Sequence, residues 1–263
     1  MSRPKKSLGQ NFLTSIPARN AMVAAGDVLP TDTILEIGPG KGFLTEAILE
    51  TGAHVIALEK DTNLLPVLAQ TFSSEISRRQ LTLIEGDALL FDPKSYKLLA
   101  TSYKLIANIP YYITGAILSY YLSEVSQPSI MVVLVQKEVA ERVCARDGKE
   151  SLLSLSVKAY GEPKLVYRVN KGSFHPIPSV DSAVLQIKNI SRKNFNDKKH
   201  EEVFFKLIHA AFAHKRKFAI SNIQAIFKEA TMPSLFEAVG ISPKVRAEDV
   251  PLSSWIALSL TLK

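Results

Sequence analysis

Five short apolar runs constrain the fold of this chain most. Thr33–Ile37, His54–Glu59, Leu81–Glu85, Tyr103–Ala107 and Ile130–Gln136 are bounded by Gly, Asp or Pro and read as buried strands. Amphipathic stretches separate the first four: Phe43–Thr51, Leu64–Phe72 and Pro93–Leu99. Gly115–Leu122, after the fourth, also carries a helical pattern. Strand–helix alternation of this kind predicts an α/β fold, with a mostly parallel sheet covered on both faces. Leu165–Val169 and Ser182–Lys188 predict a hairpin at the sheet edge.

The pattern changes after Ile190. Ser191–His200 is polar and charged and reads as a linker. Helical patterns follow at Glu201–Ala213, Lys215–Ala230, Pro233–Val239 and Leu252–Thr261, broken at Ser242-Pro243 and Val250-Pro251. The expected organisation is a sheet domain over 1–190 and a small all-helical domain over 191–263.

Charge is placed unevenly. The net charge is +7. Residues 1–20 hold Arg3, Lys5, Lys6 and Arg19 with no acid, and residues 191–263 hold twelve Lys/Arg against seven Asp/Glu. The body between is slightly acidic. Two basic ends predict that a polyanion is held there while the body does the chemistry. The densest basic patch is His214-Lys215-Arg216-Lys217, with Lys198, Lys199 and Arg246 as further candidates. Hydrophobic residues make up 46% of the chain, enough for a sizeable core. The one cysteine, Cys144, excludes an internal disulfide and a cysteine metal site and fits a reducing cytoplasm. No apolar run reaches the roughly 18 residues of a membrane span, and no apolar stretch follows the basic N-terminus as in a secretory signal.

Glu36-Ile37-Gly38-Pro39-Gly40-Lys41-Gly42 ends the first strand and opens a helix. Glycines there allow a sharp turn and close approach of backbone to a ligand. Nicotinamide dinucleotides use similar turns, but three details disfavour them here. The third dinucleotide glycine is replaced by Phe43, Pro39 sits between the first two glycines, and Glu36 precedes Gly38 by two residues. Glu59 ends the second strand, where an acid can bind both ribose hydroxyls. Asp87 ends the third, where a carboxylate can accept from an adenine amino group. Acids at consecutive strand ends favour S-adenosylmethionine (SAM), and so a Rossmann-like SAM-dependent methyltransferase sheet.

Asn108-Ile109-Pro110-Tyr111 ends the fourth strand. The Asn side chain and the carbonyl before Pro can accept hydrogen bonds, and the Tyr face can stack on a ring. The tetrapeptide is similar to the motif by which some enzymes methylate exocyclic amino groups of bases, with Ile109 in the second place.

With these residues in view, the chain resembles the rRNA adenine N6,N6-dimethyltransferases, and among them the bacterial small-subunit enzymes of the KsgA/RsmA type. The resemblance spans essentially the whole chain. It is carried by Leu8-Gly9-Gln10-Asn11-Phe12-Leu13, Glu36–Gly40, Gly86-Asp87-Ala88, Asn108–Tyr111, Gln136-Lys137-Glu138-Val139 and Phe174-His175-Pro176-Ile177-Pro178-Ser179-Val180-Asp181-Ser182. It implies that Asn11 and Leu13 close over SAM, that Gly38 and Gly40 approach its methionine part, and that Glu59 binds ribose. Asp87, with Ala88 beside it, would bind the adenine. Asn108 would lie between the methyl donor and the target base, and Phe174 would stack opposite Tyr111. His175 is expected to be structural. The implied partners are the small ribosomal subunit and its rRNA; no metal is expected, and the protein is expected to be a cytoplasmic monomer.

Three rivals share part of this pattern. A large-subunit rRNA methyltransferase of the macrolide-resistance type would share the sheet and Asn108–Tyr111. The Phe174–Ser182 segment, Arg246-Ala247-Glu248 and the Lys215–Lys217 patch favour the small-subunit type. A non-catalytic assembly factor is disfavoured by intact Gly38, Glu59, Asp87, Asn108 and Tyr111. A dinucleotide-dependent oxidoreductase is disfavoured by Phe43 and the Asn108 motif.

Overall fold

The computed structural model describes residues 9–124, 126–227 and 232–262. Arg3, Lys5, Lys6, Leu8 and the 228–230 end of the expected Lys215–Ala230 helix lie outside them. The chain forms two compact units, Met1–Ala140 with Glu162–Ile190, and Glu141–Gly161 with Ser191–Lys263. The segment 141–161, expected on the N-terminal side of the boundary, groups with the C-terminal helices.

In the first unit the apolar runs become strands. After β1 (Phe12–Leu13) come β2 (Thr33–Ile37), β3 (His54–Glu59), β4 (Leu81–Glu85), β5 (Lys104–Asn108) and β6 (Ile130–Gln136). The chain then adds β7 (Glu162–Val169), β8 (Phe174–His175) and β9 (Ser182–Lys188). Seven strands make one sheet in the order β4-β3-β2-β5-β6-β9-β7. Strands β2 to β6 pair in parallel, and β9 and β7 close the edge as an antiparallel hairpin. The predicted α/β class and edge hairpin are borne out.

Helices cover the sheet at α1 (Ile16–Ala25), α2 (Phe43–Leu49), α3 (Leu65–Thr71), α4 (Ser73–Ser77) and α5 (Thr114–Ser123), and α6 (Lys137–Val143) follows β6. Pro93–Leu99, expected to be helical, yields only a 3-10 turn at Pro93–Tyr96. Asp92 caps it, and Lys97 then takes a left-handed φ of 61° that ends it. The sheet interior is fully buried and apolar at Leu105–Ala107 and Met131–Val135, as parallel strands covered on both faces require.

Helix α1 shows how a buried polar group is settled. Ser15 caps its start and Pro17 occupies the first turn. The Ala25 carbonyl at its end lacks a helical partner. Gln186 Nε2, from the largely apolar β9, donates to that carbonyl at 2.6 Å. The bond ties α1 to the sheet.

The second unit contains α7 (Leu152–Lys158), α8 (Lys198–Ala211), α9 (Ala219–Ile223), α10 (Met232–Ala238) and α11 (Leu252–Thr261). Ser151 and Ser154 cap α7 reciprocally, and Asp197 caps α8. His200 Nε2 meets Ser259 Oγ at 2.8 Å, joining α8 to α11. The expected linker Ser191–His200 is packed, because Phe195 is buried among Tyr160, Phe204 and Phe205 and Arg192 pairs with Glu201 at 3.1 Å. The expected Lys215–Ala230 helix shortens to α9, with Lys215–Lys217 left in an exposed turn. Asn222 Nδ2 donates to Ala211 O at 2.8 Å and His214 O at 3.0 Å, which holds that turn open.

Gln186→Ala is expected to lower the unfolding free energy by about 1–3 kcal/mol, because it strands the buried Ala25 carbonyl. Lys188→Ala removes only the exposed pair with Asp27 and leaves stability close to wild type. Urea denaturation of both variants checks the contrast.

Candidate active site

The strand order reverses between β2 and β5, which opens a crevice at the carboxyl ends of the parallel strands. A cavity of about 770 Å³ lies there, within the size range of small-molecule sites. It is lined by the turn after β2, the ends of β3, β4 and β5, the segment 9–14, and His175.

The turn after β2 is shaped by glycine. Gly38, Gly40 and Gly42 have φ of 70°, 62° and 85°, values that side chains with a Cβ resist. A Cβ on Gly38 would meet only the Asn108 carbonyl at 3.5 Å, and so would project into space a ligand could take. A Cβ on Gly40 would touch the Phe12 ring at 3.1 Å. Glu59 fastens the turn: its carboxylate accepts from Gly40 N at 3.0 Å and from Asp61 N at 2.7 Å. Burial pushes the Glu59 carboxyl above the usual range, and these N–H groups pull it back.

Glu36 lies behind the same turn, 1% exposed, and neither carboxylate oxygen has a hydrogen-bond partner among the described residues. Burial pushes its carboxyl up to about 8. The buried Thr45 hydroxyl, itself without a hydrogen-bond partner, offsets part of this, and the nearby Glu59 charge adds to it. An unpartnered buried acid is costly when charged, so Glu36 stays protonated behind the turn up to near pH 8.

Asp87 is held at both oxygens. Lys60 Nζ reaches Oδ2 at 2.6 Å and Leu89 N donates to Oδ1 at 3.0 Å. Lys60 chiefly, then Leu89, hold its carboxyl below the usual range. Ala88 is buried beside it, and its carbonyl accepts from Tyr121 Oη at 3.0 Å.

Asn108 closes the other end. Its Nδ2 donates to the Asn11 carbonyl at 3.3 Å. Because a carbonyl only accepts, this contact settles the amide orientation and leaves Oδ1 as a spare acceptor among the described residues. Ile109 is buried, Pro110 and Tyr111 line the cavity, and Tyr111 Oη lies 2.6 Å from Ser182 Oγ. Segment 9–14 is drawn over the cavity by the β1–β8 pairing and by Gln10 Nε2, which donates to Asp61 at 2.9 Å.

The structure thus gathers Asn11, Leu13, Gly38, Gly40, Glu59, Asp87, Ala88 and Asn108–Tyr111 around one cavity. Phe174 is not brought to its wall. It is 3% exposed and lies in the apolar core with Leu13 and Met22. Neighbouring strand residues point to opposite faces, so β8 turns Phe174 inward and His175 to the cavity. Sequence reasoning passed over Gln10, Phe12, Lys60, Ser182 and the lining role of His175. Position next to Glu59 was the available signal for Lys60.

A sheet in this order, with a glycine turn and acids at successive strand ends, defines a Rossmann-like methyltransferase fold. A sequence model of the family described as Ribosomal RNA adenine dimethylase matches residues 1–263. The chain is 40% identical over 260 residues to Ribosomal RNA small subunit methyltransferase A of Dehalococcoides mccartyi, covering 98% of this chain and 88% of that one. It is 39% identical over 263 residues to the protein of the same name from Deinococcus radiodurans, covering 99% and 86%. In fold it is similar to a dimethyladenosine transferase from Plasmodium falciparum, at a TM-score of 0.81 and 22% identity over 95% of this chain and 96% of that one. The 23S rRNA methyltransferase ErmE gives 0.77 and 21% over 96% and 99%. The chain belongs to the ribosomal RNA adenine dimethylase family.

Glu36 titration has a measurable consequence. Between its ordinary value of 4.5 and about 8, the folded protein keeps a proton that the unfolded chain has lost. Stability from this group therefore falls as pH rises through that window. Glu36→Gln is expected to raise the thermal midpoint of the cofactor-free protein near pH 7.5 and to leave it near wild type at pH 4.5. Melting curves across that range check it.

Proposed function

We propose that this protein transfers two methyl groups from SAM to N6 of adenines in a loop of small-subunit rRNA, as a step in ribosome biogenesis. The observation that carries the reading is Asn108. Its amide donates to the Asn11 carbonyl, and it stands on a cavity that combines apolar and aromatic walls with a glycine turn and the acids Glu59 and Asp87. The small-subunit target rests on the names of the relatives.

The residues present fit SAM. The open space in front of Gly38 and the Glu59 carboxylate on the cavity wall suit a ligand with a methionine part and ribose. Gly38 and Gly40 would meet its methionine part, Glu59 its ribose, and Asp87 and Ala88 its adenine. Asn11 and Leu13 would close over it. When bound, SAM supplies an activated methyl group on a good leaving group.

The chain's own residues would then do the alignment. The adenine N6 lone pair is delocalised into the ring. Asn108 Oδ1 and the Ile109 carbonyl would accept the N6 hydrogens, turn the lone pair toward the methyl group and stabilise the charge that develops on N6. Pro110 fixes the direction of the chain between Ile109 and Tyr111. The Tyr111 face would set the ring plane. Phe174 supports this arrangement from the core, through Leu13 on β1. The base must leave its stack to enter, which costs a few kcal/mol and favours an unpaired loop. The exposed turn His214–Lys217 would meet RNA phosphates.

Radiolabelled methyl transfer from SAM to small subunits lacking adenine dimethylation tests the target, with large subunits as control. Incorporation into small subunits alone is expected, and Asn108→Ala should reduce it at least ~100-fold. Label in large-subunit RNA would instead favour the resistance-type reading. Gly38→Ala should weaken SAM binding by calorimetry roughly 10-fold or more, through backbone strain and lost space.

A further inference from the structure

Ser182 opens β9, in register with Gln136 on β6 and Val169 on β7, at the end of the sheet that carries the cavity. It is fully buried. Among the described residues its hydroxyl bonds to one group, the Tyr111 hydroxyl at 2.6 Å. The turn before Ser182 is itself fixed. The Asp181 carbonyl accepts from Lys137 N at 3.0 Å, and Asp181 Oδ1 accepts from Lys171 N at 2.9 Å. Burial holds the Tyr111 phenol above its ordinary range, so the hydroxyl stays neutral and able to donate.

We propose that Ser182 is a positioning residue for methyl transfer, which pins the Tyr111 ring at its far end. Tyr has two side-chain torsions. The backbone after Pro110 fixes the near end of the ring, and a bond from a rigid strand fixes the hydroxyl. Together they set the ring plane before a base arrives. A face set in advance aligns the target without ordering it again in each turnover. The inference rests on the reading of Tyr111 as the wall against which the target base lies.

The test is a double-mutant cycle on the full chain with small subunits and SAM. Ser182→Ala and Tyr111→Phe should each lower kcat roughly 3- to 10-fold, the loss of one hydrogen bond. KM for the subunits and Kd for SAM should stay within about two-fold, and thermal midpoints report folding. The double variant should be no slower than either single one, because both remove the same bond. Additive losses, or an unchanged kcat in Tyr111→Phe, would overturn the proposal, and that variant decides alone if Ser182→Ala fails to fold. Tyr111→Ala separates this from the underlying reading: full activity there would sink the stacking role of Tyr111 itself.

Discussion

The grip of the Glu59 carboxylate on two backbone N–H groups is the contact on which the rest of the site depends. One bond reaches across to Gly40 in the turn after β2, and the other reaches to Asp61 just beyond β3. Hydrogen bonds from buried N–H groups to a carboxylate are among the stronger ones a protein makes. This one fixes the glycine turn against the neighbouring strand at the rim of the cavity. Asp61 continues the line, accepting from Asn63 and from Gln10, so the segment that covers the cavity hangs from the same loop.

From that anchor the site divides by charge. One side carries the carboxylates of Glu59 and Asp87, at or beside the ends of β3 and β4, with Glu36 buried behind the turn. On the other side stand Asn108 and Ile109, whose neutral oxygens are the acceptors in the proposed reaction. Acids suit a cofactor with cationic groups. Neutral acceptors suit an amino group whose lone pair must be freed, since full charges there would attract competing cations. The parallel sheet places the two sides beside each other because β2 and β5 are neighbours although 70 residues apart in sequence.

Much of this was legible because the strands are short, apolar and sharply bounded. Thr33–Ile37, His54–Glu59, Leu81–Glu85, Ile130–Gln136 and Ser182–Lys188 fall where the pattern put them. What was hidden depends on contacts distant in sequence. Strands β1 and β8 have two residues each and exist only through their pairing across the chain. Phe174 sits in an aromatic, Pro-rich motif that reads as a site, but alternation along β8 sends it to the core and His175 to the cavity. Lys215–Lys217 follows a helical pattern, yet Asn222 holds two carbonyls there and keeps the segment a turn. The bond between Tyr111 and Ser182 joins two motifs that the sequence presents separately.

The central claim is that Asn108 and its neighbours act on an exocyclic adenine amino group. Nucleoside analysis by chromatography and mass spectrometry of rRNA taken to completion with the protein and SAM tests it most directly. The account predicts that N6,N6-dimethyladenosine accumulates and N6-methyladenosine appears only in passing. Methyl groups found on ribose, on a ring nitrogen or on another base would contradict it.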